Sequence, residues 1–92
     1  MFVVKYSKHA EKSLRKMDKH QRSLIKRWIE KNLMGCVDPR AHGKLLTGNL
    51  AGKWRYRIGK IRILADIKDD VVTVFIINIG HRGEIYNELF EW

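Results

Sequence analysis

The chain has 92 residues with 19 Lys plus Arg against 10 Asp plus Glu, a formal net charge of +9, which leaves room for one small domain over 1–92 and excludes a second. The single cysteine, Cys36, excludes an internal disulfide and fits a reducing cytoplasm, and His9, His20, His42 and His81 lack the spacing of a zinc site, so neither metal nor cofactor is expected. The apolar opening Met1 to Val4 is too short for a signal peptide or a membrane span.

The charge is polarised along the chain. Residues 1–65 carry 17 basic and 4 acidic side chains, whereas residues 66–92 carry 2 and 6. Clustered positive charge of this kind attracts polyanions through steering and counterion release.

In chain order, Phe2 to Tyr6 is rich in β-branched and aromatic residues and predicts a strand. Ser7 can cap a short helix over 8–17, with Ala10, Leu14 and Met17 on its dry side. Asp18, with Gln21 three residues on, predicts the start of a second helix, and Leu24, Ile25, Trp28, Ile29 and Leu33 form its apolar stripe. Gly35 is a natural stop. Residues 36–51 hold the one proline and read as a loop with a short turn near Lys44 to Leu46. Three strands are expected next, at about 53–58, 61–67 and 71–79, with Asp69-Asp70 marking the last turn. The order β-α-α-β-β-β predicts an α+β fold, a helical hairpin packed on a mainly antiparallel four-stranded sheet.

The segment WRYRIGKIRILADI carries the chemistry. Period two puts Arg55 and Arg57 on one strand face and Trp54, Tyr56 and Ile58 on the other. Gly59-Lys60 has the form of a type II′ hairpin loop, which pairs Ile58 with Ile61 and sets Arg57 opposite Arg62. Like charges across a ladder cost roughly 0.2–1 kcal/mol, so an anion is expected to lie over them. The alternative is a solvated outer face.

The element order, Lys44-Leu45 before the sheet, the arginine hairpin, the apolar VFIINIG strand and the closing HRGEIY together resemble the RelE/ParE superfamily of bacterial toxins, the RelE branch more than the ParE branch. The resemblance spans essentially the whole chain. It implies a ribosome-dependent mRNA endonuclease, contacting mRNA in the ribosomal A site and 16S rRNA, and neutralised by a cognate antitoxin. Operator DNA would be reached only through the antitoxin complex. By resemblance Arg62 is the strand arginine of the site, Arg82 the arginine after the last strand and Tyr86 the C-terminal tyrosine. Arg55 and Arg57 fall where some members carry lysines, and they join Lys44 and Lys53 as expected phosphate contacts.

The side chains bear on those roles. Arginine stays protonated, so Arg55, Arg57, Arg62 and Arg82 can clamp phosphate but cannot act as a base. An unshifted phenol is only about 0.1% ionised near neutrality, so Tyr86 serves as a base only where nearby guanidiniums favour the phenolate. Otherwise it is an edge aromatic covering the core. His81 is a second candidate for proton transfer, or else a structural or ribosomal RNA contact, since a residue adjacent to Arg82 in a strand points to the opposite face. Two other classes fit the sequence: a ParE-like inhibitor of DNA gyrase that hydrolyses nothing, and a basic nucleic-acid-binding module.

Overall fold

The computed structural model describes residues 1–81. Strand β1 (Val3–Tyr6) leads into helices α1 (Lys8–Lys16) and α2 (Lys19–Asn32), followed by β2 (Lys44–Leu45), β3 (Trp54–Ile58), β4 (Ile61–Lys68) and β5 (Thr73–His81). The strands form one sheet in the order β1-β5-β4-β3-β2. β1 runs parallel to β5, and the other three pairings are antiparallel.

Both helices start where their caps predict. Ser7 Oγ accepts from the Ala10 N–H at 2.9 Å, and Asp18 Oδ1 accepts from the Gln21 N–H at 2.9 Å. Each bond satisfies one of the backbone donors that a helix start leaves without a partner. Ala10 and Leu14 of α1 and Ile25 and Ile29 of α2 are buried with Leu33 in the same core as Tyr56, Ile61, Ile63, Ala65, Val74, Ile76 and Ile79 of the sheet. The helices therefore cover one face of the sheet. The opposite one is called the outer face below.

Five strands form where four are expected. Lys44 and Leu45 pair with Arg55 and Trp54 as an edge strand, at the place where the sequence suggests only a turn. Two exposed residues show no periodicity, and their strand character comes entirely from a neighbour 9 to 11 positions away in the chain.

The last strand begins at Thr73, because Asp69–Val71 form a 3₁₀ turn and Val72 adopts the left-handed conformation at φ 49° and ψ 50°. The strand is also irregular. Leu64 pairs with Asn78 while Ala65 pairs with Ile76, so Ile77 is an extra residue with no partner of its own across the ladder. A bulge of this kind shifts the alternation of side chains by one position. Val74 and Ile76 face the helices before it and Ile79 does so after it. Ser7 holds the bulge: its Oγ donates to the Ile77 carbonyl at 2.6 Å, and its N–H donates to the Ile76 carbonyl at 2.8 Å.

The connection from α2 to β2 is fastened at several points. The buried Tyr56 hydroxyl donates to the Pro39 carbonyl at 2.5 Å. Arg40 makes two bonds to the Asp69 carboxylate, at 3.1 and 2.7 Å, and its guanidinium lies 5.8 Å from the Trp54 ring centroid. Trp28 packs against Tyr56 at 5.6 Å and, edge-on, against His42 at 6.3 Å.

Candidate nucleic-acid interface

The β3–β4 hairpin has the register expected of a two-residue loop. Ile58 pairs with Ile61, and Arg57 pairs with Arg62. Gly59 has φ 58°, while Lys60 is not among the residues at positive φ, which is the pattern of a type II′ turn. A glycine is needed there because a side chain at that φ would crowd its own backbone.

Alternation then fixes the faces. Tyr56 and Ile58 point into the helix-covered core, so Arg55 and Arg57 project from the outer face. Ile61 and Ile63 are core residues, so Arg62 joins them on that outer face. Residues paired directly across strands share a face, which puts Lys44 beside Arg55. Lys53 belongs to the same outer face but is engaged: its Nζ lies 3.5 Å from Asp66 Oδ2, which also accepts Lys68 Nζ at 3.7 Å. The structure thus brings together Lys44, Lys53, Arg55, Arg57 and Arg62.

Two of these arginines have distinctive surroundings. Arg62 donates through one guanidinium nitrogen to the carbonyls of Gly59 at 3.0 Å and Ile61 at 3.3 Å, which holds its planar head against the hairpin loop. Arg55 is half-buried, and its buried Nε has no hydrogen-bond partner among the described residues. A buried guanidinium N–H without an acceptor is costly, and an anionic oxygen would relieve that cost.

The end of β5 closes this edge. Gly80 pairs with Arg62 and so belongs to the outer face, opposing it with no side chain. His81 pairs with Ile61, a core residue, and so points to the helix side. The strand thereby separates His81 from the arginine set. Arg82 and Tyr86, the remaining expected site residues, lie outside the described residues. Sequence reading gave Ser7 only as a helix cap and missed its bond to the Ile77 carbonyl and the bulge there, which sets which residues of β5 share a face with Arg62. The one signal in the sequence is Asn78, a polar residue on the same alternation as Val74 and Ile76, where a regular strand would turn it toward the core.

Among the described residues no three His, Cys, Asp or Glu side chains gather as a metal-binding group, and no helix is long and apolar enough to cross a membrane.

A helical pair on one face of a mixed, mostly antiparallel five-stranded sheet is the α+β architecture of RelE-like toxins. The family described as ParE toxin of type II toxin-antitoxin system, parDE, matches residues 4–86, and the chain belongs to that family. Toxin RelG of Mycobacterium tuberculosis (strain ATCC 25618 / H37Rv) is 41% identical over 49 residues, 53% of this chain and 56% of that protein, so the match spans little more than half of RelG. The toxin-antitoxin complex RelBE2 from Mycobacterium tuberculosis contains a chain of the same fold, with a TM-score of 0.80 and 28% identity, covering 88% of this chain and 98% of that one. The RelB-RelE antitoxin-toxin complex from Methanococcus jannaschii matches with a TM-score of 0.72 and 25% identity over 95% and 99% of the two chains. The isolated E. coli RelE toxin shares the fold alone, with a TM-score of 0.71 at 24% identity over 96% and 94%.

Proposed function

We propose that this RelE-like toxin is a metal-independent endoribonuclease that cuts mRNA in the ribosomal A site. The observation that carries this reading is the outer sheet face, where Arg57 opposes Arg62 and Arg55 presents a buried Nε without an acceptor among the described residues. Guanidiniums gathered on one face in this way can bond the non-bridging oxygens of a phosphodiester together.

In the reaction the ribose 2′-hydroxyl loses its proton and attacks the adjacent phosphorus. A bond forms from O2′ to phosphorus, the bond to the 5′-oxygen breaks, and that oxygen leaves as a hydroxyl after taking up a proton. Arg62 and Arg82 stabilise the charge that develops on the phosphorane, and Arg55, Arg57, Lys44 and Lys53 hold the flanking backbone. Tyr86 takes the 2′-hydroxyl proton as a phenolate favoured by the guanidiniums. His81 has no part in this step, because it faces the helix side.

The test is cleavage of mRNA on programmed ribosomes, with reaction ends mapped at the A site. Arg62→Ala, Arg82→Ala and Tyr86→Phe are each expected to cut at least about a hundredfold more slowly. Full-rate cutting by all three variants would sink the mechanism. A second reading is favoured by the ParE family match: a gyrase inhibitor without hydrolytic activity. Loss of DNA supercoiling with intact mRNA would select it.

We further propose a cognate antitoxin as partner, working in the cytoplasm, with acidic and apolar side chains that complement the basic surface. RelBE2 of Mycobacterium tuberculosis and RelB-RelE of Methanococcus jannaschii are such complexes. Operator DNA is then contacted through the toxin-antitoxin complex, and 16S rRNA by helix lysines such as Lys19, Lys26 and Lys31.

A further inference from the structure

A second cationic feature lies on the helix side of the sheet. A cavity of about 380 Å³ is lined by His9, Lys12, Ser13, Lys16, Met17, Asp18, Gln21, Ile79 and His81. The spacing explains how it forms: 9, 12, 13 and 16 recur as one stripe of α1, beside the stripe of Ala10 and Leu14 that enters the core. Across from it, the bulge at Ile77 turns Ile79 and His81 toward the helices. The first turn of α2 closes the third side.

Two lysines and one aspartate give the described lining a net positive charge. Lys12 and Lys16 take part in no ion pair among the described residues. Among the described residues the lining holds one carboxylate, Asp18, whose Oδ1 caps α2. Ser13, Gln21 and His81 add groups able to donate hydrogen bonds. The volume is many times the roughly 30 Å³ that one water occupies in the liquid.

We propose that this cavity is a second phosphate site, which holds a backbone phosphate of the RNA strand whose neighbouring phosphates cross the arginine hairpin. The inference rests on the RNA-binding part of the reading above. Proximity supports RNA as the source of the phosphate: Gly80 opposes Arg62 on the outer face and His81, the next residue, lines the cavity, so the two cationic sites lie at the same end of the β4–β5 pair. His81 is here a phosphate-binding residue, and it takes no part in proton transfer.

The full chain is titrated with inorganic phosphate and then with a single-stranded RNA oligonucleotide at several salt concentrations, with backbone amides followed by NMR. Phosphate is expected to move the amide signals of Ser13, Gln21 and His81. The double variant Lys12→Gln with Lys16→Gln loses that response, binds RNA about tenfold more weakly and has a salt slope shallower by about 0.7, the value for one phosphate of a single strand. His81→Asn loses the phosphate response as well, and the dispersion of its other signals checks its fold. Unmoved signals with phosphate, or a double variant with the wild-type RNA slope, overturn the cavity site alone. A wild-type chain that binds no RNA overturns the cavity proposal together with the ribonuclease reading.

Discussion

Arg57 and Arg62 are directly opposed across the β3–β4 ladder, and both project from the face of the sheet away from the helices. Like charges at directly opposed positions of a ladder disfavour it, and both can attract the same anion. Arg57→Gln is expected to stabilise the free chain by about 0.2–1 kcal/mol while weakening RNA binding. Urea unfolding reads the first effect as a raised midpoint at unchanged slope, and a binding titration reads the second. A lowered midpoint would mean that the repulsion is already offset in the free protein.

Arg62 is held by the loop as well as by its strand, through the Gly59 and Ile61 carbonyls. Its planar head is thus oriented before any ligand arrives. Arg62→Lys keeps the charge but loses the fork that can bond the loop and a phosphate together. Cleavage by Arg62→Lys is expected to fall nearly as far as in Arg62→Ala. Single-turnover rates on programmed ribosomes check this, and near wild-type cutting by the lysine variant would reduce Arg62 to a simple charge.

Gly43 is needed for close approach. A Cβ at this position would lie 2.8 Å from Tyr56 Cε1 and 3.2 Å from the Arg55 carbonyl oxygen. The Tyr56 ring cannot easily give way, because it is fully buried and tied to the Pro39 carbonyl. Gly43→Ala is expected to cost about 1–3 kcal/mol, measured by denaturant unfolding. An unchanged midpoint would mean that the 36–43 connection shifts freely.

Val72 is a β-branched residue in left-handed backbone, the conformation that such side chains resist most. Its N–H donates to the Asp69 carbonyl at 3.2 Å and its carbonyl accepts from the Val3 N–H at 2.9 Å, so the pairing of β1 with the turn fixes it there. The side chain is 40% exposed and gives up little burial when replaced. Val72→Asn is expected to raise stability by about 1 kcal/mol, seen as a higher thermal midpoint. A fall would show that its remaining burial outweighs the strain.

The Arg40–Asp69 pair predicts an acid-side dependence. The hydrogen bond from Arg40 holds the Asp69 carboxyl below the usual carboxylate range. A carboxyl lowered by folding contributes stability that is fully present above its unfolded value, near 3.9, and is lost as pH falls through the folded value. Asp69→Asn should therefore show a shallower loss of stability below about pH 4 than the wild type, and little difference in slope above pH 5. Both partners are well exposed, so added salt should shrink the difference. Identical acid limbs in the two proteins would remove this ion pair from the account.

Much of this architecture is written in local patterns. Ser7 and Asp18 begin the helices because their side-chain oxygens reach backbone donors within one turn. The hairpin at Gly59-Lys60 sets its own register because a two-residue loop permits only one. The opposed arginines, and the side of the sheet they share, follow from that loop and from period two. Charge and composition point to an anionic partner without any coordinates.

What the sequence alone could not decide depends on residues far apart in the chain. Lys44 and Leu45 become a strand only because β3 offers them an edge, and the carbonyl of the extra residue, Ile77, is bonded by Ser7, 70 positions away. In the run VFIINI only Asn78 marks a change of face, and it does not place the extra residue, yet the bulge determines that Gly80 shares a face with Arg62 while His81 turns to the helices. Local periodicity specifies which side chains alternate. Long-range hydrogen bonds fix the phase, and the phase decides which residues can reach the same ligand.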